Sequence, residues 1–214
     1  MDRLPRGRHG LSPEFVARNQ RERLIAGLTE ALYEGGYQKT TVSMIGQRAA
    51  VSKSDFYKHF ESKDECFIAA YDAAVKRIRE CVTSACEENQ GEAWPRRVGA
   101  AIDALLKQLS SSPALASITL VEGLRAGREV YDRYQAALES FVSLLHEGAP
   151  AAPQGKKAPE ATGEAVVGGI ASLLGRRVLA GEAEQLSELF PQILEFTLSA
   201  YLGAEQARRI VSAE

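Results

Sequence analysis

The side chains best placed to do chemistry are hydrogen-bond donors on one short stretch, residues 52–63. Lys53, Lys58 and His59 lie on the outer side of a predicted short helix, and Phe56 and Phe60 occupy its other side. A projecting helix of this width fits the major groove of B-DNA, where its leading residues reach base edges. The stretch therefore predicts a surface that contacts nucleic acid.

The residues before this helix predict a second short helix and a tight turn. Thr40 and Thr41 can cap that helix with their hydroxyls, and its apolar residues recur at helical spacing. Residues 50–52 are too few for anything but a tight connection. Ser52 with Asp55, and Ser62 with Glu65, have the spacing of capping boxes that open the next two helices. The order helix, turn, helix predicts a helix-turn-helix unit.

Residues 36–65 resemble the DNA-binding signature of TetR-type (tetracycline-repressor-like) transcriptional regulators. The shared pattern is Gly-Tyr before paired threonines, an Ile-Ala-type helix, a Val-Ser-Lys turn, an aromatic-Tyr-x-His-Phe helix and a following Ser-Lys-Asp/Glu. Ala50 departs from it, standing where the family usually has Gly. If position 50 needs a positive φ, Ala costs on the order of 1 kcal/mol. Ser54-Asp55 replaces the commoner Gly and small residue. We expect Asp55 to cap the helix; contact with a cytosine amino group is the alternative.

The resemblance also implies roles for individual donors. Thr41, Tyr57 and Lys63 are expected to contact phosphate, and His59 to lie at the phosphate boundary. Lys53, Ser54 and Lys58 are the expected base-edge contacts, with Ser52 opening their helix. Phe56 and Phe60 are expected to be buried beneath it.

The amino-acid composition limits the classes of protein to which this chain can belong. The 214 residues are 45% hydrophobic and 25% charged, which favours a folded chain. No apolar run approaches the ~20 residues of a membrane span, and the start of the chain has no hydrophobic signal core, so we expect a cytoplasmic protein. Residues 1–60 hold 10 Lys/Arg and 6 Asp/Glu, a basic head expected where only this part meets phosphate.

Neither cofactor nor metal is expected. The three histidines are scattered, and the three cysteines lack a Cys-x-x-Cys pair, so reduced thiols are the expectation. The sequence offers no nucleophile–base set or phosphate loop, which argues against an enzyme.

Apolar periodicity predicts an all-α fold with three parts. Residues 1–11 form a basic flexible arm that either contacts DNA or is a solvated tail. Residues 12–62 form the three-helix DNA-binding domain, and residues 63–214 a helical effector-binding and dimerisation domain. Its last two helices, about 160–180 and 184–202, are expected to pair with those of a second chain, as in TetR-like proteins. The expected interface residues are Ile170, Leu174, Leu189, Ile193, Phe196 and Leu198.

The helical body also contains candidates for a small-molecule pocket, as in other family members. An apolar cavity with a few polar groups holds a small hydrophobic effector. The candidates are Phe67, Tyr71, Leu105, Leu109, Thr119, Glu122, Tyr131 and Tyr134. Trp94, beside Pro95 at a helix start, is a further candidate, and a position at the surface is its alternative.

Two interpretations of the function are consistent with a DNA-binding domain at the start of the chain. The first is a ligand-responsive repressor that binds a palindromic operator as a homodimer, with the helix from Lys63 to about Glu88 coupling effector to operator. The alternative is a TetR-like protein of chromosome or division control without a small effector. A body without a cavity, or many genomic sites, would favour the alternative.

Overall fold

The computed structural model describes residues 12–149, 159 and 161–213. Over this part of the chain the regular structure is helical, and the fold is all-α as predicted. The helices are α1 (Pro13–Lys39), α2 (Val42–Ala49), α3 (Lys53–His59), α4 (Lys63–Glu88), α5 (Trp94–Ser110), α6 (Pro113–Leu120), α7 (Arg128–His146), α8 (Thr162–Leu179), α9 (Phe190–Leu202) and α10 (Ala204–Val211). Short 3-10 helices at Glu122–Leu124 and Ala183–Leu189 precede α7 and α9. The predicted arm at 1–11 lies outside the described residues.

The chain divides into two compact units, Met1–Ala73 and Ala74–Glu214. The division falls within α4 and later than the predicted boundary between residues 62 and 63. The beginning of α4 therefore belongs with the first three helices, because its buried residues pack with theirs. Phe67, for example, is buried and meets the Tyr37 ring edge to face at 5.2 Å.

The first unit is organised around the close approach of α1 and α2. Leu24, Leu28 and Leu32 of α1 are buried and recur along one side of the helix. Gly27 permits the approach, since a Cβ there would lie 3.0 Å from the Ile45 carbonyl oxygen and 3.1 Å from the Ala49 nitrogen. Gly36, with φ 72°, interrupts the helical conformation near the end of α1.

The second unit has a core of buried Leu, Ile and Val side chains from α5, α6, α8 and α9. Trp94 belongs to this core, so the alternative of a surface position is wrong. Its indole N–H donates to the Leu145 carbonyl at 3.0 Å, and its ring lies 5.1 Å from that of Tyr201. Hydrogen bonding of the indole nitrogen is what allows so large a side chain to be buried.

Candidate nucleic-acid interface

The connection between α2 and α3 is a tight turn built on backbone hydrogen bonds. Thr41 opens α2, accepting a bond from the Met44 N–H at 3.3 Å. Ala50 ends it in the left-handed conformation (φ 50°, ψ 45°), and the Val51 N–H returns to the Gly46 carbonyl at 2.9 Å. A Cβ at Gly46 would lie 2.6 Å from the Val51 carbonyl oxygen, so the turn requires glycine there. The sequence analysis did not identify Gly27 and Gly46 as important. Glycine is needed at each position because backbone atoms of another segment lie close by, and the sequence pattern does not show this contact.

Helix α3 has one buried and one exposed side. Phe56 and Phe60 are buried as predicted, with ring centroids 5.7 Å apart, and the Arg21 guanidinium lies 4.8 Å from the Phe60 centroid. Tyr57 is 51% exposed. The other exposed side chains of this helix and its cap are Ser52, Lys53, Ser54 and Lys58. Burial of the two phenylalanines therefore leaves the side of α3 that carries hydroxyl and ammonium groups exposed.

Ser52, Asp55 and Lys58 form a hydrogen-bonded network across the first turns of α3. The Asp55 N–H donates to Ser52 Oγ at 3.0 Å, which closes the predicted cap. Ser52 Oγ in turn donates to Asp55 Oδ2 at 2.7 Å, and Lys58 Nζ donates to Asp55 Oδ1 at 2.7 Å. The bonds from Lys58 and Ser52 lower the pKa of the Asp55 carboxyl, which is therefore ionised at neutral pH. Ser52 thus supplies the backbone cap, and in these bonds the Asp55 carboxylate accepts side-chain donors.

His59 is tied to α1 and is only half exposed. Its Nε2 lies 3.1 Å from Gln20 Oε1, an oxygen that can only accept, so Nε2 carries the proton. Burial and the nearby Arg21 lower the pKa of the imidazole, which favours its neutral form. The structure thus gives His59 an intramolecular partner, and the predicted phosphate contact stays a prediction.

Lys63 is also engaged within the protein. Its Nζ donates to the carbonyls of Tyr37 at 2.9 Å and Thr40 at 3.1 Å, and lies 3.9 Å from the Tyr37 ring centroid. Burial lowers the pKa of this ammonium. The side chain expected to contact phosphate thus holds the corner between α1 and α2. Two of its three N–H donors are used there, and its phosphate contact stays a prediction.

The predicted pocket residues are divided between the two units. Phe67 and Tyr71 are buried in the first unit, whereas Leu109, Thr119 and Glu122 are buried in the second. Tyr131 is largely exposed, and Leu105 and Tyr134 are half-buried. Burial raises the pKa of the Glu122 carboxyl against the opposing effect of Arg125, which lies 3.6 Å away.

The residues predicted to form the dimer interface differ in exposure. Leu174, Leu189, Ile193 and Leu198 are buried by their own chain, and their place in a dimer interface stays a prediction. The side of α9 that carries Ile193 and Leu198 packs against its own chain. Phe196 remains 51% exposed, and Ile170 is half-buried.

The described residues include neither a group of metal ligands nor a membrane-spanning helix. No group of three or more His, Cys, Asp or Glu side chains in this part of the chain could hold a metal ion. In the same part, none of the helices combines the length and apolar character that crossing a membrane requires.

Comparison with known proteins identifies relatives of the helix-turn-helix region. Residues 24–70 match the family model described as bacterial regulatory proteins, tetR family. An uncharacterised HTH-type transcriptional regulator in the lacX 3' region of Lactococcus lactis is 34% identical over 62 residues, a match covering 29% of this chain and 32% of that protein. An uncharacterised HTH-type transcriptional regulator of Mycobacterium tuberculosis (strain ATCC 25618 / H37Rv) is 24% identical over 147 residues, covering 68% of this chain and 73% of that protein.

Solved structures share the fold over most of the chain. The fatty acid degradation regulator FadR from Bacillus halodurans superposes with a TM-score of 0.72 at 18% identity, covering 89% of this chain and 97% of that one. FadR from Bacillus subtilis, in complex with stearoyl-CoA, gives 0.67 at 19% identity, covering 84% and 98%. A TetR-like regulator from Rhodococcus sp. RHA1 gives 0.68 at 19% identity over 99% and 100%.

Proposed function

Because residues 24–70 match the tetR family of bacterial regulatory proteins, we propose that the chain is a ligand-responsive repressor of this type, which binds a palindromic operator as a homodimer. The observation that carries the proposal is the two-sided character of α3. Phe56 and Phe60 anchor the helix, while Lys53, Ser54 and Tyr57 are exposed on it. Lys53 and Ser54 suit base edges, and the Tyr57 and Thr41 hydroxyls suit phosphate oxygens.

The proposed dimer uses α8 and α9. Phe196 of α9 is 51% exposed, and a Cβ at Gly169 of α8 would lie 3.7 Å from its ring, so the small residue leaves that ring uncovered. Leu179, at the end of α8, is 59% exposed. Exposed aromatic and aliphatic side chains of this kind are typical of protein interfaces. A two-fold axis through this surface would pair two α3 helices with two half-sites, about one helical turn apart.

The proposed effector is a small hydrophobic molecule bound in the second unit. Leu109 and Thr119 supply buried apolar and hydroxyl groups there, and Glu122 supplies a buried carboxyl. A few polar groups among apolar ones suit such a ligand. Helix α4 is continuous from Lys63 in the first unit to Glu88 in the second, and we propose that it couples effector binding to operator release by a population shift.

The experiment begins by selecting bound sequences from a random duplex pool with the full chain. An inverted repeat should be enriched, and sedimentation of the complex should give an even number of chains per duplex. Stearoyl-CoA is a suitable first probe of the effector site, because FadR from Bacillus subtilis is complexed with it. Enrichment of no sequence, or one chain per duplex, would contradict the operator-binding dimer. If neither an acyl-CoA nor a similar hydrophobic molecule changed operator binding, ligand control would be contradicted, but the operator-binding dimer would not.

A further inference from the structure

An ion pair lies on the face of α3 that carries the proposed DNA contacts. Lys58 Nζ is 2.7 Å from Asp55 Oδ1, one helical turn away, with side chains 73% and 32% exposed respectively. The other carboxylate oxygen accepts the Ser52 hydroxyl at 2.7 Å. Ser52 Oγ also lies 2.9 Å from Ser54 Oγ. Asp55 is therefore held in place by the helix cap, and it holds Lys58 in turn.

The ion pair changes what α3 offers to DNA. The helix carries two ammonium groups, Lys53 and Lys58, and Asp55 offsets one of them. His59 adds little positive charge, because burial and Arg21 keep its imidazole in the neutral form at neutral pH. Nonspecific affinity comes from cations that neutralise phosphates and release counterions, so each ammonium that is held back lowers that affinity.

We propose that Asp55 is a specificity-determining residue, which holds Lys58 and so lowers the affinity of α3 for nonspecific DNA more than for the operator. The proposal rests on the proposed function, because it requires α3 to enter the groove. A phosphate is anionic, so it must compete with Asp55 for Lys58 and is repelled by the same carboxylate. A base edge is neutral and accepts a hydrogen bond from Lys58 without that repulsion. Asp55 therefore penalises contact with the backbone more than contact with a base.

The ion pair between Asp55 and Lys58 is a feature of this chain and not of the general TetR-type signature. That signature commonly has Gly and a small residue where Ser54 and Asp55 stand here. A small residue at position 55 cannot hold a lysine one turn later. Relatives with the commoner pair should therefore show a smaller ratio of operator to nonspecific affinity, other contacts being equal.

The test compares wild type with Asp55→Asn in the full chain, using a labelled duplex of scrambled sequence and fluorescence anisotropy. Asn keeps the shape of the side chain and the backbone cap to Ser52, but loses the charge. The variant dimer should bind the scrambled duplex about ten-fold more tightly at 50 mM salt. This gain should shrink to near unity at 200 mM, because about two more counterions are released, one for each chain. Glu30→Gln, the same charge change at an exposed position of α1, serves as the control and should leave the salt dependence unchanged.

A second comparison tests whether the effect passes through Lys58. In a Lys58→Gln background, Asp55→Asn should no longer strengthen nonspecific binding. An equal gain in that background, or no gain in either, would overturn the inference while leaving the proposed function intact. A changed base preference in Asp55→Asn without any nonspecific gain would also overturn it, since Asp55 would then read a base directly. Failure of every variant to bind any duplex would overturn the proposed function itself, and this inference with it.

Discussion

Replacing Ala50 by glycine should stabilise the protein. Ala50 has φ 50° and ψ 45°, and among the described residues no other non-glycine has a positive φ. An L-residue pays about 1–2 kcal/mol for the left-handed conformation, and glycine avoids this penalty. Glycine offsets about 0.5–1 kcal/mol of this gain, because it loses more conformational entropy than alanine when the chain folds. Ala50→Gly should therefore raise the free energy of unfolding by about 0.5–1 kcal/mol, and the midpoint of thermal unfolding by about 1–4 °C.

Thermal unfolding followed by circular dichroism measures this shift at fixed protein concentration. Ala26→Gly is the matched control, because Ala26 is exposed in the interior of α1. The same chemical change there should lower the free energy of unfolding by about 1 kcal/mol. Opposite signs at the two positions are the signature of a strained turn. A loss of stability in Ala50→Gly would refute the assignment of strain to Ala50.

Three further outcomes are expected. Lys63→Met removes the ammonium that holds the corner between α1 and α2, and should lower the free energy of unfolding by about 1–2 kcal/mol in urea titrations. His59 has a folded-state pKa below the ordinary 6.5, so the stability it confers is present above pH 6.5 and lost as the pH falls through the folded pKa. His59→Gln should flatten urea midpoints measured between pH 8 and pH 5.5. Phe196→Asp should abolish self-association in sedimentation velocity, whereas Tyr33→Asp, which alters an equally exposed aromatic residue on α1, should leave it intact.

The parts of the interface set by local sequence could be predicted. The caps at Thr41 and Ser52 involve partners three residues away, and such bonds follow from residue type and spacing. The burial of Phe56 and Phe60 follows from the period of the helix. The sequence analysis considered a positive φ at Ala50 and the energy it would cost. The structure has this conformation, because the short turn ends α2 in the left-handed region.

Contacts between distant residues could not be predicted in the same way. Lys63 meets carbonyls of Tyr37 and Thr40, and His59 meets Gln20, across separations that no local pattern encodes. Trp94 finds its hydrogen-bond acceptor in Leu145, and is buried for that reason.

The interface residues on α8 and α9 illustrate a different limit. An apolar stripe shows that a helix face will be covered, but not whether the same chain or another chain covers it. Leu174 and Ile193 are covered within the protomer, while Phe196 is left exposed. Helix α10 was not predicted either; it begins after Gly203, whose φ of 83° ends α9.

The most direct measurement is a parallel selection from a random duplex pool with wild type and Lys53→Gln. If α3 reads bases through Lys53, both proteins should enrich an inverted repeat of the same half-site spacing, with different preferred bases inside each half-site. Identical base preferences in the two proteins, or no inverted repeat with either, would contradict the assignment of α3 as the helix that reads DNA.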